Sequence, residues 1–246
     1  MSNAANAVTL SGYDTNPVND IRLLNPVNSQ TAFGNFSANL DSATVTTESF
    51  ETTATPNGSF IDGLTTQISG ITANFSYKKD SGASANGGAS TQVQQTSIGG
   101  VLGNGAYPTD NVRFISINSS NNLSINFSSS IAAFGYFGTD LGDSGNILTM
   151  QFFNANNTLV SSQVIGSTGS ANSSQFFFGF IADSPSEEFN RVVFSNSASN
   201  DAIGIDQIKI ATPTQVKTKI PEPASVWGTL LCGGCLVAIK RRLKRV

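Results

Sequence analysis

The chain has 246 residues, of which 39% are hydrophobic and only 12% charged, with 17 phenylalanines, enough apolar material for a sizeable core and too much for disorder throughout. It contains no histidine, which excludes Ser-His-Asp and Cys-His catalysis and histidine-ligated zinc. Residues 1–220 hold eight basic and fifteen acidic side chains, a balance that argues against nucleic acid as a partner.

At this length one β domain is commoner than two small ones. Met1 to Leu10 has neither the basic nor the apolar region of a secretory signal, yet Ala5-Asn6-Ala7 fits the small-x-small pattern that precedes a signal cleavage site. Two readings stand side by side: residues 1–7 are the remnant of a signal that begins upstream, or the match is chance in an Ala/Asn-rich opening. Residues 8–67 are polar and punctuated by Pro17, Pro26 and Pro56, with weak periodicity. Short strands are expected near residues 44–47, and an extended segment near 33–40. Residues 78–90 (KKDSGASANGGAS) are small and polar, and are expected to form a mobile hairpin tip.

Beyond Val112 a period of two takes over. Leu123, Ile125 and Phe127 alternate with Ser124, Asn126 and Ser128, the pattern of a strand with one wet face. Strands are expected at 131–137, 147–153, 159–165, 176–181, 189–194 and 203–210, separated by turn-rich gaps. In the last of these the apolar positions change parity, from Ile203 and Ile205 to Ile208 and Ile210. A regular strand would throw Ile208 to the opposite face, so a β-bulge is expected near Asp206. No segment before the C-terminal tail shows a helical period over three turns. The expected fold is all-β: an antiparallel β-sandwich of about nine short strands over residues 8–212, jelly-roll-like or immunoglobulin-like.

Three constellations carry candidate chemistry. Asp140, Asp143 and Asp206, with loop carbonyls near Gly142, offer hard oxygens for Ca²⁺, although their spacing is not that of an EF-hand. The competing reading is that these aspartates accept from backbone N–H groups in turns. Glu187-Glu188 is the obvious pair for glycoside hydrolysis, but adjacent strand residues face opposite ways and Pro185 makes a solvated turn the simpler reading. Tyr13, Tyr77, Tyr107 and Tyr136 are the aromatics on which a sugar ring could stack if exposed. Burial of these tyrosines would favour a structural or adhesive role over carbohydrate binding. No Gly-rich phosphate loop or basic patch with interleaved aromatics is present.

The tail has three parts in fixed order: Pro221-Glu222-Pro223, an uncharged apolar run over 224–239, and the basic residues Lys240, Arg241, Arg242, Lys244 and Arg245. Sixteen residues at about 1.5 Å each make a helix of roughly 24 Å, short against a hydrocarbon core of about 30 Å. Snorkelling Lys and Arg stems recover part of that mismatch. The cations hold the C-terminus on the cytoplasmic side and leave the rest of the chain outside, while the two prolines keep the motif extended and accessible. Both cysteines, Cys232 and Cys235, fall inside the apolar run, where two small anchor residues or a lipidation site is a simpler reading than a redox motif.

This tail closely resembles the PEP-CTERM sorting signal of bacterial exported proteins, on Pro221-Glu222-Pro223-Ala224-Ser225, the apolar segment and the KRRLKR cluster. The resemblance covers about a tenth of the chain. It extends more loosely to residues 133–143 (AFGYFGTDLGD), to residues 201–206 (DAIGID) and to the Ser49-Phe50-Glu51 opening, which are similar to segments recurring in exported β domains with this tail. The resemblance implies an exosortase-type processing enzyme as partner, a transmembrane helix over 224–239 before processing, and delivery to the envelope or extracellular matrix; the lack of histidine and of a convincing carboxylate pair gives the expectation of no enzymatic activity. The alternatives it leaves are a surface carbohydrate-binding module, a glycan-active hydrolase, and an ordinary tail anchor after a proline-rich stalk. The implied organisation is a β domain over 8–212, a linker over 213–220 and the sorting signal over 221–246.

Overall fold

The computed structural model describes residues 7–15, 23, 25–52, 56–58, 61–79, 92–96, 102, 105–118, 121–141, 147–166, 173–196 and 202–217. Thirteen strands and one α-helix are found among them. In chain order these are β1 (Val8–Asp14), α1 (Val27–Ala38), β2 (Thr47–Glu48), β3 (Thr65–Ile68), β4 (Ile71–Lys79), β5 (Gln92–Gln95), β6 (Arg113–Asn118) and β7 (Asn121–Ile131). Then come β8 (Ala133–Thr139), β9 (Ile147–Phe153), β10 (Leu159–Gly166), β11 (Gln175–Ile181), β12 (Phe189–Asn196) and β13 (Ala202–Ala211).

The strands form two sheets with antiparallel pairing throughout. One runs β1-β11-β8-β13-β6-β5 with β2 added beside β13, and the other runs β10-β9-β12-β7-β4-β3. Their inner faces meet in one aromatic core. Phe134 and Tyr136 on β8 pack edge-on against Phe194 on β12, and Phe152 on β9 stacks on Phe180 of β11 at 4.4 Å between ring centres. Burying this many phenyl rings, at roughly 25 cal/mol for each Å² of apolar surface removed from water, is the main force holding the sheets together. The expected all-β sandwich is therefore present.

Alternation along the strands decides what each face meets. Leu123, Ile125 and Phe127 of β7 point into the core while Asn122, Ser124 and Asn126 face outward, as their period of two predicts. Strands β8 and β11 do not alternate: AFGYFGT and QFFFGFI are buried at every position. Their even-numbered aromatics enter the inter-sheet core, whereas Ala133, Phe137, Phe177 and Ile181 join Ala32, Phe36 and Leu40 in a second cluster beneath α1. The strands are apolar on both faces because both faces are covered.

Helix α1 corrects the expectation of an extended segment at 33–40. Its buried residues Ser29, Ala32 and Phe36, continued by Leu40, recur at intervals of three and four. Two of them are small, so the stripe is faint in the sequence. Phe36 seats itself over the paired glycines Gly135 and Gly179, where a β-carbon would come within 2.8 and 2.5 Å of its ring.

Further differences are local. Residues 8–14, for which the weak periodicity gave no element, form β1 against β11. The strand expected near 44–47 is only Thr47–Glu48. Residues 131–137 divide at Ala132 between β7 and β8. The 78–90 stretch is not the tip of a hairpin: Lys78 and Lys79 end β4 in one sheet, and β5 joins β6 in the other, so the chain crosses between sheets there. Residues 80–91 themselves lie outside the described residues. The β domain also runs past 212, because Pro213–Gln215 forms a 3-10 turn and Val216 bridges Leu40. No helix among the described residues is long and apolar enough to cross a membrane. The transmembrane helix expected over 224–239, the motif Pro221-Glu222-Pro223 and the basic residues 240–245 lie outside the described residues.

Candidate functional site

One group of buried polar side chains gathers where residues 107–110 meet the C-terminal end of β8 and the middle of β13. Residues 105–109 are all buried. The Thr139 hydroxyl accepts from Tyr107 N–H at 3.2 Å and donates to Tyr107 O at 2.9 Å. The Asp206 carboxylate accepts from Thr109 N–H at 2.8 Å, from the Thr109 hydroxyl at 3.1 Å and from Asp110 N–H at 3.3 Å. Its other oxygen accepts from Gln207 N–H at 2.7 Å. Asp140 receives Ser173 N–H at 3.0 Å, and its own N–H donates to Ser174 O at 2.9 Å.

Irregular backbone makes this arrangement possible. The expected bulge is present in β13, where the register against β8 slips between Asp206 and Lys209 and Gln207 takes φ +50°. Ile203, Ile205, Ile208 and Ile210 are thereby all buried, with Asp206 at the kink. Asp140 (φ +64°) ends β8, and Gly105 (φ +92°) passes so close to it that a β-carbon would sit 2.2 Å from the carboxylate. A glycine is required there both by the dihedral and by the space.

Burial pushes the Asp206 carboxyl well above the usual carboxylate range, and the nearby Asp110 carboxylate adds to the rise. The N–H bonds from Thr109, Gln207 and Asp110 oppose it without prevailing. Burial likewise raises the Tyr136 phenol well above its ordinary value.

Among the sequence-derived metal candidates, Asp140 and Asp206 are both held by backbone N–H groups, and Asp143 lies outside the described residues. No group of three or more His, Cys, Asp or Glu side chains suited to a metal ion occurs among the described residues. Glu187 closes a 3-10 turn, Pro185–Glu187, and accepts from Ala7 N–H and Asp183 N–H. Glu188 accepts from the Ser130 hydroxyl at 3.0 Å. Tyr107 and Tyr136 are fully buried. Tyr13 and Tyr77 are half-buried against the core, with the Tyr13 hydroxyl donating to Leu141 O.

The same use of carboxylates recurs elsewhere. Asp14 takes the first three N–H groups of α1, Glu51 accepts from Val112 N–H and Arg113 N–H, and Glu48 accepts from Phe50 N–H. Sequence reading missed these acceptors because Asp14 and Glu51 reach partners 13 or more residues away.

The class defined is a two-sheet antiparallel β-sandwich with a helix over one face. No family model and no curated protein matches the chain. Solved structures resemble it distantly. The K2 cleaved adhesin domain of Lys-gingipain shares 12% identity, over 70% of this chain and 99% of that one, with a TM-score of 0.43. The C-terminal family 22 carbohydrate-binding module of Clostridium thermocellum Xyn10B shares 10%, over 72% and 99%, with a TM-score of 0.38. A DUF4465 family protein from Bacteroides ovatus shares 10%, over 84% and 99%, with a TM-score of 0.35. These likenesses carry no residue role and no ligand over to this chain.

Proposed function

We propose that this is an exported, non-enzymatic surface or extracellular-matrix protein, sorted through its C-terminal tail by an exosortase-type enzyme that recognises Pro221-Glu222-Pro223. The observation that carries the reading is the order of the tail: a Pro-Glu-Pro motif, a short uncharged apolar run and five cations in the last seven residues. The non-enzymatic half rests on the β domain. Asp14, Glu48, Glu51, Asp140, Glu187 and Asp206 all accept from backbone N–H groups, so these acids serve the fold rather than a reaction. Burial of Tyr107 and Tyr136 supports a structural or adhesive role over stacking on tyrosines.

The test is the intact mass of the protein recovered from its native envelope or medium. Loss of the residues after about Pro223 is the expected result. A chain that retains Lys240 to Val246 overturns sorting in favour of a plain anchor.

A second reading, carbohydrate binding, has one observation in its favour. The outer face of the six-stranded sheet carries rows of amides and hydroxyls in register: Thr65, Asn74 and Asn126 in one row, Ser76 and Ser124 in the next. Arg191 adjoins Asn126 and lies over the Phe153 ring at 4.2 Å. Retention of the protein by insoluble polysaccharide, lost in Asn126→Ala, would support this reading; passage through the polysaccharide without retention would end it.

A further inference from the structure

Strand β10 is an open edge of a kind that monomeric sandwiches usually blunt. Each sheet has two edges. The strands β3 and β5 at two of them have only four residues each, and β1 at a third ends in the charged Asp14 and has α1 packed on one of its faces, where the Asn28 carbonyl lies against Gly12. At the fourth edge, β10 runs for eight residues, LVSSQVIG, regular from Ser161 to Gly166 after a register shift between Leu159 and Ser161, and among the described residues it pairs with β9 alone. It contains no Lys, Arg, Asp, Glu or Pro, which are the residues that ordinarily guard such an edge against another chain.

Exposed apolar side chains collect at the same place. Four large hydrophobics are exposed among the described residues, and three of them sit on the β9–β10 pair: Ile147 at 48%, Leu159 at 48% and Val164 at 67%. The register sets Val164 across from Thr149, Ile147 across from Gly166 and Leu159 across from the half-buried Phe153.

We propose that β10 is a self-association edge, on which a second copy of this chain adds its own β10 antiparallel about a two-fold axis. Pairing of this kind satisfies the unpaired main-chain N–H and C=O groups of both copies and joins two six-stranded sheets into one. The acidic charge narrows where a second copy can dock. With eight basic against fifteen acidic residues before the tail, two copies repel over most approaches. An uncharged strand offers an approach that opposes no like charges. An axis crossing β10 near Gln163 and Val164 brings the two Val164 side chains to the same outer face, where they shield each other from water. The inference goes beyond the sorting reading and stands whether or not the tail is processed.

The experiment uses the full chain in detergent, with Cys232→Ser and Cys235→Ser removing the native thiols. A cysteine at 164 (Val164→Cys) is expected to give a covalent dimer with a short bis-maleimide linker. Val27→Cys, equally exposed but on α1, is expected not to. In the native-cysteine chain, Val164→Lys is expected to weaken dimerisation about tenfold or more by sedimentation, since it places two cations together at the edge, with an unchanged melting temperature. Ser162→Lys, also exposed on β10, is expected to do the same and replaces Val164→Lys if that variant melts early. Equal cross-linking at 27 and 164, no dimer at 164, or association insensitive to both lysine variants (the result if the tails alone associate) would each overturn the proposal.

Discussion

Asp206 is held in surroundings that oppose its charge, and this sets a pH dependence whose sign can be worked out. Its folded-state pKa is raised by burial and by Asp110, whereas in the unfolded chain an aspartate titrates near about 3.9. A raised folded value means that the stability contribution is complete below the unfolded value. It is lost as pH climbs toward the folded one, because only the unfolded state then releases the proton readily. Replacing Asp206 with Asn removes this titration. The advantage of wild type over Asp206→Asn in urea unfolding is expected to be greatest in acid and to shrink by about 1.4 kcal/mol for each pH unit between the two pKa values. A constant difference across pH would show that the carboxyl acts only as a hydrogen-bond acceptor. The residue itself was visible in the sequence through the parity switch of the isoleucines around it. Its partners Thr109 and Asp110 were not, since nothing local links positions 97 and 96 residues apart.

At the scale of the element, α1 depends on a residue outside it. Pro26 at its N-terminal boundary provides no side-chain cap. Asp14, at the end of β1, supplies one: its carboxylate takes Val27 N–H at 3.1 Å, Asn28 N–H at 2.8 Å and Ser29 N–H at 2.8 Å, and the Ser29 hydroxyl adds a bond at 2.6 Å. Three otherwise unsatisfied donors, at the positive end of the helix dipole, therefore share one anion. Lys209 holds the same helix from the sheet. Its ammonium lies 4.7 Å from the Phe33 ring centre, and burial lowers its pKa. Replacing Asp14 with Ala is expected to cost about 1–3 kcal/mol, by analogy with lost caps and unsatisfied buried donors. Hydrogen exchange should then show lost protection in α1 while β9 and β12 stay protected. Equal loss throughout would mean that α1 does not open separately from the sandwich. The helix was not read from the sequence, and only an indirect signal for it existed. Its own stripe includes Ser29 and Ala32, but QFFFGFI and AFGYFG were too continuously apolar for strands with one wet face, and something had to cover their second side.

For the whole molecule, two parts of the chain have different physical tasks. The β domain is closed by Leu40 pairing with Val216 and by Gln215 O accepting from Asp41 N–H, so its cooperative unit reaches residue 216. The proposed sorting motif begins five residues later. Replacing Glu222 with Ala is therefore expected to leave the thermal transition of the β domain unmoved and to abolish removal of the tail. Normal removal in that variant, read by mass, would defeat the recognition role given to the motif.

What the sequence determined by itself were the features written in local pattern. Period-two alternation placed β9 and β12 nearly residue for residue and the middle of β7, because the pleat repeats every two positions whatever the partner strand. The change of parity placed the bulge in β13, because a one-residue slip reverses every side chain beyond it. What only the tertiary structure decided depended on groups far apart in the chain. The coverage of β8 and β11 by α1, the course of residues 105–112 against Asp206, and the capping of a helix by an earlier strand all bring distant residues together. So does the identity of the edge strand, since a strand is an edge only through which neighbour is missing from its side.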